Sequence, residues 1–167
     1  MLFFVSKEIT LRGRNKFTQR RNKHVINFYS NKNECHIWCE SFLERDYALL
    51  LEFDESVQSF SSQTEYFNVF GKRYTPDFCV LYASGLTEYV EVKHTTFLDD
   101  AFFEAHALRQ HSIYQETRSC LKLFSENEIC VPSLDNLRLL NRYRQLDVKH
   151  ILPLLNLKTK KMKFKSL

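Results

Sequence analysis

The chain has 167 residues, 44% hydrophobic and 26% charged, which is the size and balance of one ordinary domain able to bury a core without disulfides or a structural metal. Its three glycines, Gly13, Gly71 and Gly85, are too far apart for a glycine-rich loop, which excludes the P-loop and the dinucleotide fingerprint together with collagen-like and linker-like sequence. The net charge of +4 is unevenly spread, with +6 over residues 1–24, +5 over residues 158–167 and −7 between them, so two cationic ends, either phosphate-holding arms or merely solvated termini, flank a body rich in carboxylates.

Residues 7–33 are basic and lack a clear period. Arg12, Arg14, Lys16, Arg20, Arg21 and Lys23 alternate with Phe17, Phe28 and Tyr29, as expected of an arm or an irregular lead-in. Across residues 35–53, Ile37, Leu43, Tyr47, Leu50 and Leu51 recur at roughly helical spacing with no Gly or Pro, which predicts a helix. From Val57 the period becomes two. Strands are expected over 57–63 and 65–70, then a turn at Gly71-Lys72, a strand over 73–82 entered through Pro76, a turn at Ala83-Ser84-Gly85 and a strand over 87–93. Connections this short make antiparallel neighbours. A helix over 99–118 and a strand over 120–124 follow, and a strand–helix–strand unit allows 87–93 and 120–124 to pair in parallel. Ser133 is placed to cap a last helix over 134–146. The order predicts a mixed α/β sheet flanked by helices.

The five cysteines show no framework spacing. Cys35 and Cys39, with His36 between them, form one loose pair where a zinc site needs four ligands, so reduced core cysteines are expected. No apolar run approaches membrane-span length, and the apolar start over 1–5 is too short for a signal-peptide core. The expectation is a cytoplasmic protein with no membrane partner.

The chemistry is concentrated in Tyr74-Thr75-Pro76-Asp77 and, thirteen residues on, Glu91-Val92-Lys93. Residues two apart on a strand share a face, so Glu91 and Lys93 are expected on one exposed face, with Val90 and Val92 turned into packing. A hairpin would bring Asp77 to the same end of the sheet. Asp77 and Glu91 are hard oxygen ligands suited to Mg²⁺, with Mn²⁺ as a substitute, and the Val92 carbonyl is a further candidate ligand. Lys93 is placed to orient or help deprotonate an attacking water and to offset charge on a pentavalent phosphate.

Pro76-Asp77 and Glu91-x-Lys93 resemble the PD-(D/E)xK nuclease superfamily. A longer series also resembles the TnsA-type transposon endonucleases: Glu40 to Tyr47, then Phe53-Asp54, Val57, Gln63, Tyr74 to Phe78, Glu91 to Lys93, and Asp135-Asn136-Leu137 through Tyr143-Arg144. The resemblance spans roughly residues 34–146. It implies a restriction-endonuclease-like mixed sheet flanked by helices, and a metal-dependent endonuclease acting on double-stranded DNA beside a transposase subunit and an ATPase regulator. It divides the chain into a basic arm over 1–33, a nuclease domain over 34–150 and a basic tail over 151–167, in a prokaryotic or phage-encoded protein.

Carried over residue by residue, Glu44 and Asp77 match metal ligands and Lys93 the catalytic lysine. Glu91 falls where relatives vary between carboxylate and amide, and Gln63 matches a glutamine beside the site. Thr64 stands where the family has proline. Residues 145–167 are too few for the winged-helix domain that follows the nuclease in full-length relatives. Lys72 and Arg73, with Arg12, Arg14, Arg20, Arg21, Lys158, Lys160 and Lys161 at the ends, are candidate phosphate contacts. His94 is expected on the face opposite Lys93, and His106 and His111 lack the spacing of a shared ligand set. A stand-alone phage or defence nuclease, and a nucleic-acid-binding or assembly protein without cleavage, are the alternative readings.

Overall fold

A computed structural model describes residues 25–144. Along the chain run β1 (Ile26–Ser30), β2 (Cys35–Cys39), α1 (Phe42–Phe53), β3 (Val57–Ser62), β4 (Phe67–Val69), β5 (Lys72–Tyr74), β6 (Phe78–Tyr82), β7 (Thr87–Val92), α2 (Asp100–Thr117), β8 (Cys120–Phe124) and α3 (Val131–Arg144). Four strands make the central sheet in the order β3-β6-β7-β8, while β1–β2 and β4–β5 are separate hairpins. β6 runs antiparallel to β3 and β7, and β8, reached through α2, is parallel to β7. The architecture is therefore mixed α/β, with the parallel pair where a helical crossover allows it. Among the described residues no helix is long and apolar enough to cross a membrane.

The central strands β6 and β7 are covered on both faces. Phe78, Val80, Val90 and Val92 join the core built by Tyr47, Leu49 and Leu51 of α1. Tyr47 meets Phe78 edge-on at 5.2 Å and Phe124 at 4.4 Å between ring centroids. On the other face Cys79 and Tyr89 pack with Phe67 of β4, Ile113 of α2 and Leu121 of β8. Only Ile113 of α2 is fully buried, so that helix rests lightly on its face of the sheet.

α1 begins where Ser41 caps it, its Oγ accepting the Glu44 N–H at 3.1 Å. Near its end, Glu52 is a buried carboxylate that accepts from Ser30 Oγ at 2.6 Å, from the Asn31 and Lys32 N–H groups and from Arg144 Nη1 at 2.8 Å. This one group ties the β1–β2 turn, α1 and α3 together. In the same turn, Asn33 Oδ1 accepts the Phe60 N–H of β3 at 3.0 Å.

Several sequence expectations are corrected. Residues 26–30, expected in an irregular lead-in, are a strand with Phe28 and Ser30 buried. The helix expected from residue 35 starts at Phe42, and Cys35–Cys39 is a strand paired with β1. The strand expected over 73–82 is two strands, because Pro76 offers no N–H to a ladder. The turn expected at Gly71-Lys72 lies at Phe70-Gly71, with both residues at positive φ, +49° and +78°. For a phenylalanine this left-handed conformation costs about 1–2 kcal/mol. α3 starts at Val131 with Pro132 in its first turn, and Ser133 bonds to Cys130 Sγ at 3.4 Å in place of capping. Arg12, Arg14, Arg20, Arg21, Lys158, Lys160 and Lys161 lie outside the described residues.

Phe78 has no exposed surface and touches α1, β3 and β7 neighbours. Replacing it with alanine is expected to cost about 3–5 kcal/mol, read as a lower urea midpoint with an unchanged slope.

Candidate active site

Pro76 restricts Thr75 to extended backbone and separates β5 from β6 along the chain, so Asp77 stands at the mouth of β6. Its carbonyl accepts the Gln63 N–H at 3.0 Å, and its Oδ2 accepts the Val92 N–H of β7 at 2.8 Å. β6 and β7 pair Phe78 with Val90. One step further in that register sets Asp77 opposite Glu91, as the hairpin expectation required. Burial pushes the Asp77 carboxyl up to about 7; the Val92 N–H opposes this, and the charges of Glu44, Glu91 and Glu40 add to it. Asp77 therefore sits across from Glu91 at the end of the sheet and feels the charges of Glu44 and Glu40.

Glu91 is not on an exposed face. It is buried under α2, and its charge is matched. Arg109 Nη1 donates to both its oxygens at 2.9 and 3.0 Å, Tyr74 Oη donates to Oε2 at 2.7 Å, and His106 Nδ1 lies 3.6 Å from Oε2. Burial raises the Glu91 carboxyl, and the contacts from His106, Tyr74 and Arg109 outweigh it, so the net shift is downward. Arg109 also lies over the Tyr74 ring, 4.7 Å from its centroid.

Glu44 is buried at the start of α1. Its oxygens accept the Glu40 N–H at 2.7 Å and the Ser41 hydroxyl at 2.9 Å, so it also serves the helix terminus, where a carboxylate is favoured. Lys93 follows β7, its N–H donating to the Phe124 carbonyl at 2.9 Å. Its Nζ lies 5.5 Å from the Phe97 ring centroid and, among the described residues, makes no ion pair. Gln63 is held at φ +47° where β3 ends, an uncommon conformation for a non-glycine residue. Lys72 and Arg73 are exposed on β5, and Arg73 stacks on Tyr66 with Cζ 4.0 Å from the ring centroid. Val92 is buried and gives Asp77 its N–H.

The structure therefore brings Glu44, Asp77 and Glu91 to one end of the sheet, with Gln63 bonded to the backbone of Asp77. It adds three residues that spacing did not reveal as site members: Tyr74, His106 and Arg109. A faint signal exists, since His106 and Arg109 are three apart and share a helix face. His94 is exposed and pairs with Glu126 at 3.3 Å, and His111 lies on the exposed side of α2.

Among the described residues, no three His, Cys, Asp or Glu side chains group as a metal-holding set. The donor chemistry still fits a hard cation in part. Asp77 is a partly desolvated carboxylate with one amide bond and three acidic neighbours, and Mg²⁺ needs only one or two protein carboxylates beside its waters. Glu91 fits less well, because Arg109 already balances its charge. No protein-family model matches the chain, and no curated protein matches it.

Two outcomes follow from the opposite states of Asp77 and Glu91. Arg109→Met leaves Glu91 buried without its cation and is expected to cost about 2–3 kcal/mol, read by urea denaturation at neutral pH. The Asp77 carboxyl is raised on folding, so its ionisation opposes folding increasingly as pH rises from the unfolded carboxyl range towards 7. In EDTA, Asp77→Asn is expected to be more stable than the parent by about 2 kcal/mol at pH 8, with the gap closing as pH falls to about 4. Paired melts at those two pH values read it.

Proposed function

We propose that the chain is a metal-dependent DNA endonuclease with a restriction-endonuclease-like fold, similar to the nuclease domain of TnsA-type transposon endonucleases. The observation that carries this reading is the place of Asp77, whose Oδ2 accepts the Val92 N–H at 2.8 Å in the register that sets it opposite Glu91. The Asp77 carboxyl is raised to about 7 by burial and by Glu44, Glu91 and Glu40, an arrangement that opposes folding unless a cation relieves it. The order of elements supports it further: a helix bearing Glu44, a strand entered directly after Asp77, and the next strand ending in Glu91-Val92 with Lys93 directly after it.

In this reading Asp77 and Glu44 hold Mg²⁺, or Mn²⁺ in its place, and Glu91 stays on Arg109 as the group that fixes β7. When bound, the cation supplies Lewis-acid polarisation of a phosphoryl oxygen and activation of a water. The chain's own residues do the rest. The Val92 N–H orients the Asp77 carboxylate. The Lys93 ammonium offsets charge developing on the phosphate during in-line attack and positions the nucleophilic water. Lys72 and Arg73 hold flanking phosphates, a role shared with the basic ends, and contacts of this kind position a duplex without reading its sequence. The partner this reading requires is double-stranded DNA. A transposase subunit and an ATPase regulator are the partners that the resemblance adds.

The test uses supercoiled plasmid with Mg²⁺ or Mn²⁺. The parent chain is expected to nick or linearise it, and Asp77→Ala and Lys93→Ala to lose at least ~100-fold in rate. Mg²⁺ is also expected to raise the melting temperature of the parent at pH 8 and not that of Asp77→Asn. Plasmid left intact by the parent with both metals, together with no metal-dependent shift in melting, would refute the enzyme reading.

A further inference from the structure

The β4–β5 hairpin bears a residue that neither packing nor turn chemistry retains. Phe70 and Gly71 form its two-residue turn, both left-handed at φ +49° and +78°. A turn of this kind favours Asn, Asp or Gly at both central positions. Gly71 meets that demand and Phe70 violates it. Phe70 is also 75% exposed, so no buried contact offsets its backbone strain. An aromatic side chain held out in solvent by a strained turn points to use outside the fold.

Its surroundings indicate what it meets. Residues 66–74 contain Lys72 and Arg73 and no acid. Both cations are exposed, and Arg73 Cζ lies 4.0 Å over the ring of Tyr66, itself 59% exposed. The base of the hairpin is held firmly: Phe67 is buried edge-on against Tyr89 at 5.1 Å, and Tyr74 Oη donates to Glu91 at 2.7 Å. An aromatic tip with cationic flanks on a fixed base is complementary to a polyanion with stacked apolar layers. From Tyr74 to Lys72 the strand rises about 7 Å, and the two-residue turn carries Phe70 beyond its end.

We propose that this hairpin is a DNA probe. Phe70 inserts between two base pairs beside the cleaved phosphodiester, and Lys72 and Arg73 hold the phosphates on either side. The inference rests on the nuclease reading and names its substrate class further, as duplex containing a step that unstacks easily. Insertion of apolar wedges at flexible steps is an established way for proteins to kink DNA. The charge of the hairpin favours nucleic acid over a protein surface, and a membrane is the rival that the experiment separates.

The experiment uses the full chain carrying Asp77→Asn, so that DNA stays whole, with short duplexes bearing 2-aminopurine at successive positions. Binding is expected to raise fluorescence severalfold at one position. Phe70→Ala in the same background is expected to abolish that rise and weaken binding about tenfold, whereas Phe70→Trp keeps both. Phe70→Asn, which suits the left-handed turn, is expected to raise the melting temperature by about 3 °C while losing the fluorescence rise; a purely structural Phe70 would lower it. Binding with no responsive position, a response unchanged in Phe70→Ala, or Phe70-dependent binding to anionic vesicles without any duplex response would each overturn the probe. Plasmid cleavage by the parent chain decides the nuclease reading separately. Cleavage without a fluorescence response defeats only the probe, and a Phe70-dependent response without cleavage keeps the probe and defeats the enzyme.

Discussion

The ion pair between Glu91 and Arg109 is the constraint on which the site depends. Glu91 is placed by β7, Arg109 by α2 and the third partner, Tyr74, by β5. One carboxylate therefore joins a strand, a helix and a hairpin by polar contacts, beside the small apolar cluster of Phe67, Tyr89 and Ile113 that they also share. In a partly desolvated setting such a group demands satisfaction of its lone pairs, and the geometry that satisfies them is correspondingly specific. The position of β7 then sets the Val92 N–H, and with it the carboxylate of Asp77.

Asp77 and Glu91 face each other across two strands, yet their environments drive them in opposite directions. Glu91 receives a guanidinium, a phenol and an imidazole. Asp77 receives one backbone amide and the fields of three carboxylates. Such separation of neighbouring carboxyls assigns different tasks to chemically similar groups. One is locked as a structural anion. The other is left with its ionised form disfavoured by burial and by the neighbouring carboxylates. The stability lost at Asp77 is compensated elsewhere, in the apolar layer of Phe78, Val80 and Val90 directly behind it.

Most of the central sheet was legible in the sequence because its strands are short apolar or alternating runs bounded by turn residues. The parallel pairing of β7 with β8 followed from the helix between them. The errors have physical causes. Ile37 and Leu43 fall at helical spacing by coincidence across the junction of β2 and α1, while Ile37 and Cys39, two apart, were the strand signal. In β1 the burial of Phe28 and Ser30 was hidden by the basic run upstream. Asp77, Glu91 and Lys93 stood out through spacing. Arg109 did not, because its meeting with Glu91 depends on how α2 lies over the sheet, a matter of packing that no local period encodes. The exposed face assigned to Glu91 failed for the same reason.

The Asn33 amide that accepts the Phe60 N–H has a consequence beyond its own turn. β3 is an outer strand of the sheet, and outer strands present unpaired donors on which a second chain can template itself. At Phe60 that donor is already taken by a side chain from the β1–β2 turn. Edge-to-edge growth of the sheet is thereby denied its foothold at the middle of β3, so the β1–β2 hairpin also acts as a guard against misassembly.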